Sequence, residues 1–217
     1  LSEAVRPLPQ VPNADHWLGT DATGRDTLAR LVHGTRLSLS IGFVAVSIYL
    51  AIGLLLGLLA GWFGGAVDWL VTRVNEVLLN FPLFFLLLAI QGVLEKTSVW
   101  STMVVIGLTR WTDPCRLVRA ETLRVKHLDF VTAARALGAS DARILATHVL
   151  PNVIQPLFVT ASFGVASAVL VETALSFLGF GAPEPTPSWG LLMADGFETI
   201  LSPGARMLVL LPGAAIF

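Results

Sequence analysis

The run LSLSIGFVAVSIYLAIGLLLGLLAGWF, Leu37 to Phe63, carries no charged side chain and is long enough to cross a bilayer as a tilted helix. The hydrocarbon core is about 30 Å thick, and about 20 apolar residues in helical form traverse it. The rest of the chain shares this solvent preference: of 217 residues, 54% are hydrophobic and only 13% are charged, against about a quarter in soluble domains. A net charge of −1 with clustered cations excludes a nucleic-acid surface. The single Cys115 permits no internal disulfide and has no second Cys to suggest a metal site.

Working outward, Val74 to Leu94 reads as the next span, interrupted by Asn75, Glu76, Asn80 and Pro82. Val99 to Trp111 opens a third that runs into Arg116 and Arg119, and Val153 to Phe180 forms a fourth. Ala205 to Phe217 is still apolar where the chain stops, at a length too short to cross alone. The expectation is an all-α polytopic bundle with five spans visible and the last incomplete. Residues 1–36 read as an extracytoplasmic lead-in, and 37–217 as the transmembrane domain. The opening LSEAVRPLPQVPNADHWLGTDATGRD lacks the pattern of a signal peptide and reads as an extended extramembrane segment, expected to follow a further span.

Topology follows from the cations. Arg110, Arg116, Arg119, Arg124, Lys126, Arg135 and Arg143 are seven of the 14 Lys and Arg, all in the passage between the third and fourth spans. The positive-inside rule makes that passage cytoplasmic. Counting outward, Gly64 to Arg73 is inside, whereas Leu1 to Arg36, Glu95 to Ser98 and Gly181 to Gly204 are outside.

Within this passage lies DFVTAARALGASDARILATHVLPN, Asp129 to Asn152. Asp129 suits a helix cap, Phe130, Ala133, Ala134 and Leu137 recur at helical spacing, and Gly138 suits a left-handed terminus. Ser140 then caps a second helix carrying Ile144, Leu145 and His148 on one face, expected to stop at Pro151. Two short helices therefore meet at Leu137, Gly138, Ala139 and Ser140, where small residues let a partner's backbone approach.

Thr132-Ala133-Ala134, then Gly138, then Leu150-Pro151 resembles the cytoplasmic EAA motif of ABC importer permeases. ALGAS with HVLPN is similar to its peptide and nickel importer version. LGTDATGRDTLARLVHGTRLSLSIG, Leu18 to Gly42, resembles the segment leading into the second of six spans in those permeases, and ETALSFLGFGAPEPTPSWGLLMADG, Glu172 to Gly196, resembles their outer loop. Thr132 stands where the motif's name has Glu, and His148 where Ile is usual. The resemblance implies a type I importer permease in a bacterial or archaeal plasma membrane. It further implies pairing with a second permease, two ATPase subunits that carry ATP and Mg, and an extracytoplasmic solute-binding protein. Coupling to the ATPases would fall on about 129–150, at Thr132, Ala133, Ala134, Leu137, Gly138, Ala139, Ser140 and Asp141.

Glu76 and Glu172 lie within or near apolar spans, where an unpaired charge costs at least about 2.5 kcal/mol. With Asn80 they are candidates for lining a passage. Asn75, Asn80 and Gln91 also suit interhelical hydrogen bonds, and Pro82 a kink. Gly53, Gly57 and Gly61 share one helix face and suit close packing. Trp189 and the Pro183, Pro185, Pro187 run suggest a stiff outer loop with an aromatic anchor at headgroup level. Lys96 and Lys126 follow no glycine, so the chain has no phosphate-binding loop. His16, His33, His127 and His148 show neither metal spacing nor a paired nucleophile, which points to no cofactor on this chain and no catalysis by it. The rival readings are a secondary transporter, which would need an ion-coupling site, and a membrane scaffold that gates nothing.

Overall fold

A computed structural model describes residues 9–94, 98–181, 186–201 and 205–216. These are helical, without a named strand: α1 (Thr27–Phe63), α2 (Gly65–Leu79), α3 (Leu83–Val93), α4 (Val99–Thr109), α5 (Thr112–Lys126), α6 (Asp129–Ala136), α7 (Asp141–Ile144), a π turn (Leu145–Val149), α8 (Leu150–Phe177), α9 (Trp189–Glu198) and α10 (Arg206–Ile216). The chain divides into two compact units, Leu1–Phe43 with Ile90–Met103 and Ala166–Phe217, and Val44–Ala89 with Val104–Val165.

Several boundaries differ from the sequence reading for local reasons. Helix α1 begins at Thr27 rather than Leu37, because Asp26 Oδ1 accepts from the backbone N–H groups of Leu28 and Ala29, at 2.8 and 3.2 Å. The second span is broken: α2 and α3 meet at 86°. Asn80 closes α2 by donating from Nδ2 to the Glu76 carbonyl at 2.9 Å, and Pro82 precedes α3. Asn80 therefore serves its own helix end and not an interhelical bond. Gly181 to Gly204, read as loop, contains α9, whose Ser188 cap accepts from the Leu191 N–H at 3.2 Å. Pro183 and Pro185, like Glu95 to Thr97, lie outside the described residues.

By length and composition, α1 and the continuous helix Asp141–Phe177 can each cross a membrane, and the bent α2–α3 pair would make a third. The other expected spans are assembled from shorter helices, such as α4 and α5 on either side of Arg110–Trp111. Only 33% and 28% of the most apolar windows of the two long helices are buried within the chain. Outward-facing Phe43, Leu55, Phe85, Trp100, Phe158 and Phe163 are exposed, as lipid or neighbouring subunits as surroundings would demand.

The unit formed by Val44–Ala89 and Val104–Val165 is organised by the glycine face of α1. A methyl group built on Gly57 would lie 2.6 Å from the Cys115 carbonyl oxygen and 2.7 Å from Val118 Cβ; on Gly53, 2.7 Å from Pro114; on Gly61, 2.6 Å from Thr122. Helix α5 thus lies directly on the α1 backbone, with Cys115 buried in the seam. Next to it, Trp62, Val118, Val125, Val131, Ile144, Val149, Val153 and Leu157 form one core drawn from α1, α5, α6, α7, the π turn and α8.

In the other unit, α9 and α10 pack on α8 through Val169, Trp189, Leu192 and Leu208. Trp189 is 5% exposed and its backbone N–H donates to Ser38 Oγ at 3.3 Å. It is a core residue and not the headgroup anchor expected from its position in an outer loop.

Gly57→Leu should overpack the α1–α5 seam and cost about 1–3 kcal/mol, whereas Gly213→Ala, which meets nothing within 4 Å, should be silent. Thermal unfolding of the two variants in detergent, side by side with the parent, checks both expectations.

Candidate functional site

Three polar constellations stand out, and the α6–α7 corner is the one most completely built by local chemistry. Leu128 occupies the N-cap of α6, which places Asp129 in the first turn rather than at the cap; there its charge complements the helix dipole. At the other end, the Gly138 N–H donates to the Arg135 carbonyl at 3.0 Å and the Ala139 N–H to the Ala134 carbonyl at 3.1 Å. That pair of bonds is the Schellman arrangement, and it requires the left-handed Gly138, φ +82°. Ser140 Oγ then accepts from the Arg143 N–H at 3.4 Å to start α7.

The helix does not stop at Pro151. It passes through the π turn into α8, with Asn152 Nδ2 donating to the His148 carbonyl at 2.6 Å. Pro151 lies inside this continuous rod, two residues past the π turn, where the ladder is already widened, with the Leu150 N–H bonding the Leu145 carbonyl; such a local irregularity accommodates a residue that has no N–H to donate.

The corner is exposed on one side and anchored on the other. Leu137 is 89% exposed, and Thr132, Ala133, Gly138, Ser140 and Asp141 are open to solvent. Val131 and Ile144 are fully buried in the core shared with α1, α5 and α8. Trp62, at the end of α1, carries the Arg135 guanidinium 5.2 Å and the Lys126 ammonium 5.6 Å from its ring centre, and its carbonyl accepts from Lys126 Nζ. Phe130 packs on His148 at 6.0 Å. The sequence marks Arg135 only as a topology-setting cation and does not mark Trp62, since their pairing depends on where α1 ends.

The second constellation is a cavity of about 820 Å³ lined by α2 and α5, with Glu76, Asn75, Asp113, Arg116 and Arg119 among its walls. Glu76 is thus on a cavity, paired with Arg73 at 2.8 Å. Arg119 donates from Nε to Asp68 Oδ1 and from Nη2 to Asp68 Oδ2, a bidentate pair. Asn75 donates to Cys115 Sγ at 3.6 Å, and Gln91 to Thr102 Oγ1 at 3.1 Å, the interhelical role expected of both. Glu172 lies elsewhere and is fully buried, accepting from Ser176 Oγ at 2.6 Å and Ser38 Oγ at 3.2 Å.

The third constellation was not read from sequence. Asp21 Oδ1 accepts from the N–H groups of Thr23 and Arg25 and from the Thr23 hydroxyl, at 2.8–2.9 Å. Its Oδ2 accepts from Arg25 Nε and Arg30 Nη1, both at 2.7 Å. Arg30 Nη1 also donates to Asp195 Oδ2 at 2.6 Å, so one buried guanidinium joins the GTDATGRD loop, the start of α1 and α9. Burial pushes the Asp21 carboxyl up, but the Arg25 N–H, the Thr23 hydroxyl and the two arginines together hold it below the ordinary carboxylate value.

A group with a depressed folded pKa contributes stability above its unfolded pKa and loses it as pH falls through the folded value. Asp21→Asn should therefore cost about 3 kcal/mol near neutrality. The gap from the parent should begin to narrow as pH falls past about 3.9, where the unfolded carboxyl takes its proton, and go on narrowing as pH falls through the lower folded value. Unfolding temperatures measured across pH check the sign.

Among the described residues no three His, Cys, Asp or Glu converge as a metal set. Residues 53–216 match the family described as binding-protein-dependent transport system inner membrane component. The dipeptide transport system permease protein DppC of Alkalihalophilus pseudofirmus is 40% identical over 95% of this chain and 67% of its own length. DppC of Bacillus subtilis is 38% identical over 88% of this chain and 59% of its own, and the oligopeptide permease OppC of that organism is 34% identical over 87% and 62%. The chain thus spans about two thirds of the curated relatives it matches. The fold resembles a chain of the MetNI methionine ABC transporter in an inward-facing conformation, with a TM-score of 0.70 over 87% of this chain and 90% of that one, at 17% identity.

Proposed function

Because the chain belongs to the family of binding-protein-dependent transport system inner membrane components, we propose that it is the permease half of an ATP-driven peptide importer. In this reading a second permease completes the passage, two ATPase subunits carrying ATP and Mg dock from the cytoplasm, and a solute-binding protein delivers peptide from outside. The relatives named for dipeptide and oligopeptide transport support the substrate class.

The observation that carries the coupling role is the two-sided corner at 129–150. Its outer side offers Leu137, an exposed apolar anchor beside Gly138 and Ser140, and helices with such a tip dock into grooves. Its inner side is rooted by Val131 and Ile144 in the core that also holds α1, α5 and α8. A close-packed core transmits displacement rather than absorbing it. ATPase closure would therefore move the helices as rigid rods, in the manner of a domain rotation. Thr132, Ala133, Ala134, Leu137, Gly138, Ala139, Ser140 and Asp141 are the residues assigned to the contact.

The test is ATP-dependent uptake of a dipeptide by the full complex in proteoliposomes. Leu137→Asp should lower uptake about tenfold or more, as loss of a central interface anchor does, and Gly138→Val should also lower it through backbone strain. Parental uptake in Leu137→Asp would refute the docking role. Uptake that ignores ATP and follows an ion gradient would favour a secondary transporter, and no uptake a scaffold.

Sidedness is separately testable. Ser140→Cys should react with an impermeant reagent only from the cytoplasmic side and Thr186→Cys only from outside; the opposite pattern would invert the topology.

A further inference from the structure

The 820 Å³ cavity between α2 and α5 falls within the range of volumes that hold small ligands. Its charges are not self-satisfied. Glu76 pairs with Arg73 and Arg119 with Asp68, which leaves Asp113 and Arg116, three positions apart on α5. Neither forms an ion pair with a described residue, and both are exposed at the cavity wall. Asn75, 4% exposed, also lines the cavity, and its buried Oδ1 has no hydrogen-bond partner among the described residues. A buried acceptor without a partner is costly, about 1–3 kcal/mol.

The cavity therefore has one unpaired cation and one unpaired anion on its α5 wall, and on its α2 wall Asn75, whose orphaned amide oxygen is buried and reaches a ligand by a turn of the side-chain amide. A ligand complementary to all three carries a carboxylate, an ammonium group and an amide N–H. We infer that this cavity is a binding station for a short zwitterionic peptide: Arg116 takes the terminal carboxylate, Asp113 the terminal ammonium, and Asn75 Oδ1 the peptide N–H. An anionic lipid headgroup fits less well, since it would meet the carboxylates of Asp113 and Glu76. The inference rests on the importer reading above and names where along this chain the peptide is held.

The charge pair gives the station a defined selectivity. Charged groups of matched sign and spacing specify which ligand binds more than how tightly, because a wrong ligand leaves a charge unpaired. A peptide blocked at both termini presents no charge to either side chain. It should therefore bind poorly even though its size and amide are unchanged.

The experiment uses the full complex without binding protein, so that only the membrane part reads the ligand. A cysteine introduced as Ala120→Cys, or as Leu79→Cys should the first variant assemble poorly, lines the same cavity; the native Cys115 is buried. Saturating dialanine should slow alkylation of the introduced cysteine about tenfold. N-acetyl-dialanine amide should leave the rate unchanged. Adding Arg116→Gln should abolish protection by dialanine, and Arg116→Lys should retain it, because removal of one charge-assisted bond corresponds to a loss of about tenfold or more.

No protection by dialanine, equal protection by the blocked peptide, or full protection in Arg116→Gln would each overturn the station. If the same complex performs ATP-driven dipeptide uptake in proteoliposomes, only this inference falls. If it performs none, the importer reading falls with it.

Discussion

The close approach of α5 to the bare backbone of α1 is the constraint on which most of the described architecture depends. Gly53, Gly57 and Gly61 leave no side chain between the helices, so Pro114, Cys115, Val118 and Thr122 rest on the α1 main chain. In a membrane, where lipid is as apolar as any helix face, such packing replaces the hydrophobic effect as a source of association. It also fixes the register of the two helices. With α5 in that register, the last turn of α1 brings Trp62 beneath Lys126 and Arg135, and α6 acquires its footing.

A different logic governs the unit that holds the chain's early and late segments. There the tie is ionic: Arg30, bonded to Asp21, also reaches Asp195, which stands 165 positions further along the sequence. The site is at the start of α1, where the GTDATGRD loop folds back through the Thr20–Asp26 bridge. Burying a carboxylate and a guanidinium, with a second carboxylate half-buried beside them, is costly unless each is well bonded, and Asp21 accepts five hydrogen bonds. Glu172, Ser38, Ser176 and the Trp189 N–H form a second buried polar set nearby in the same unit. Both sets give the α9 segment a defined seat despite its short length.

What could be read from sequence follows the range of the interaction responsible. Gly138, Ser140 and the α1 glycines act within a turn or along one helix face, and spacing alone exposes them. The break at Asn80–Pro82 is visible as a proline, but a proline in the sequence does not by itself give its angle of 86°. Trp189 was misjudged because an aromatic residue beside an outer loop suits a membrane interface as well as a core, and only the arrival of Leu192 and Leu208 decides between them. The Asp21–Arg30–Asp195 tie was hidden because its members are ordinary charges in a lead-in segment and a loop. Arg135 was read for its contribution to topology; that its guanidinium also stacks on Trp62 depends on a helix ending more than seventy positions earlier in the chain.

The π turn at Leu145–Val149 has a geometric consequence of its own. A π turn holds one residue more than the α-helical path would, and each residue of an α-helix advances about 100° around the axis. The azimuth of α8 is therefore offset from that of α7 by about one residue, although the two are a single rod along their length. Ile144, on one side of the offset, and Val149, Val153 and Leu157, on the other, all reach the same core. In an uninterrupted α-helix Ile144 and Val153 would stand about 180° apart, on opposite faces. The extra residue is thus a phase shifter: it lets one continuous rod present two faces of its sequence to one neighbour.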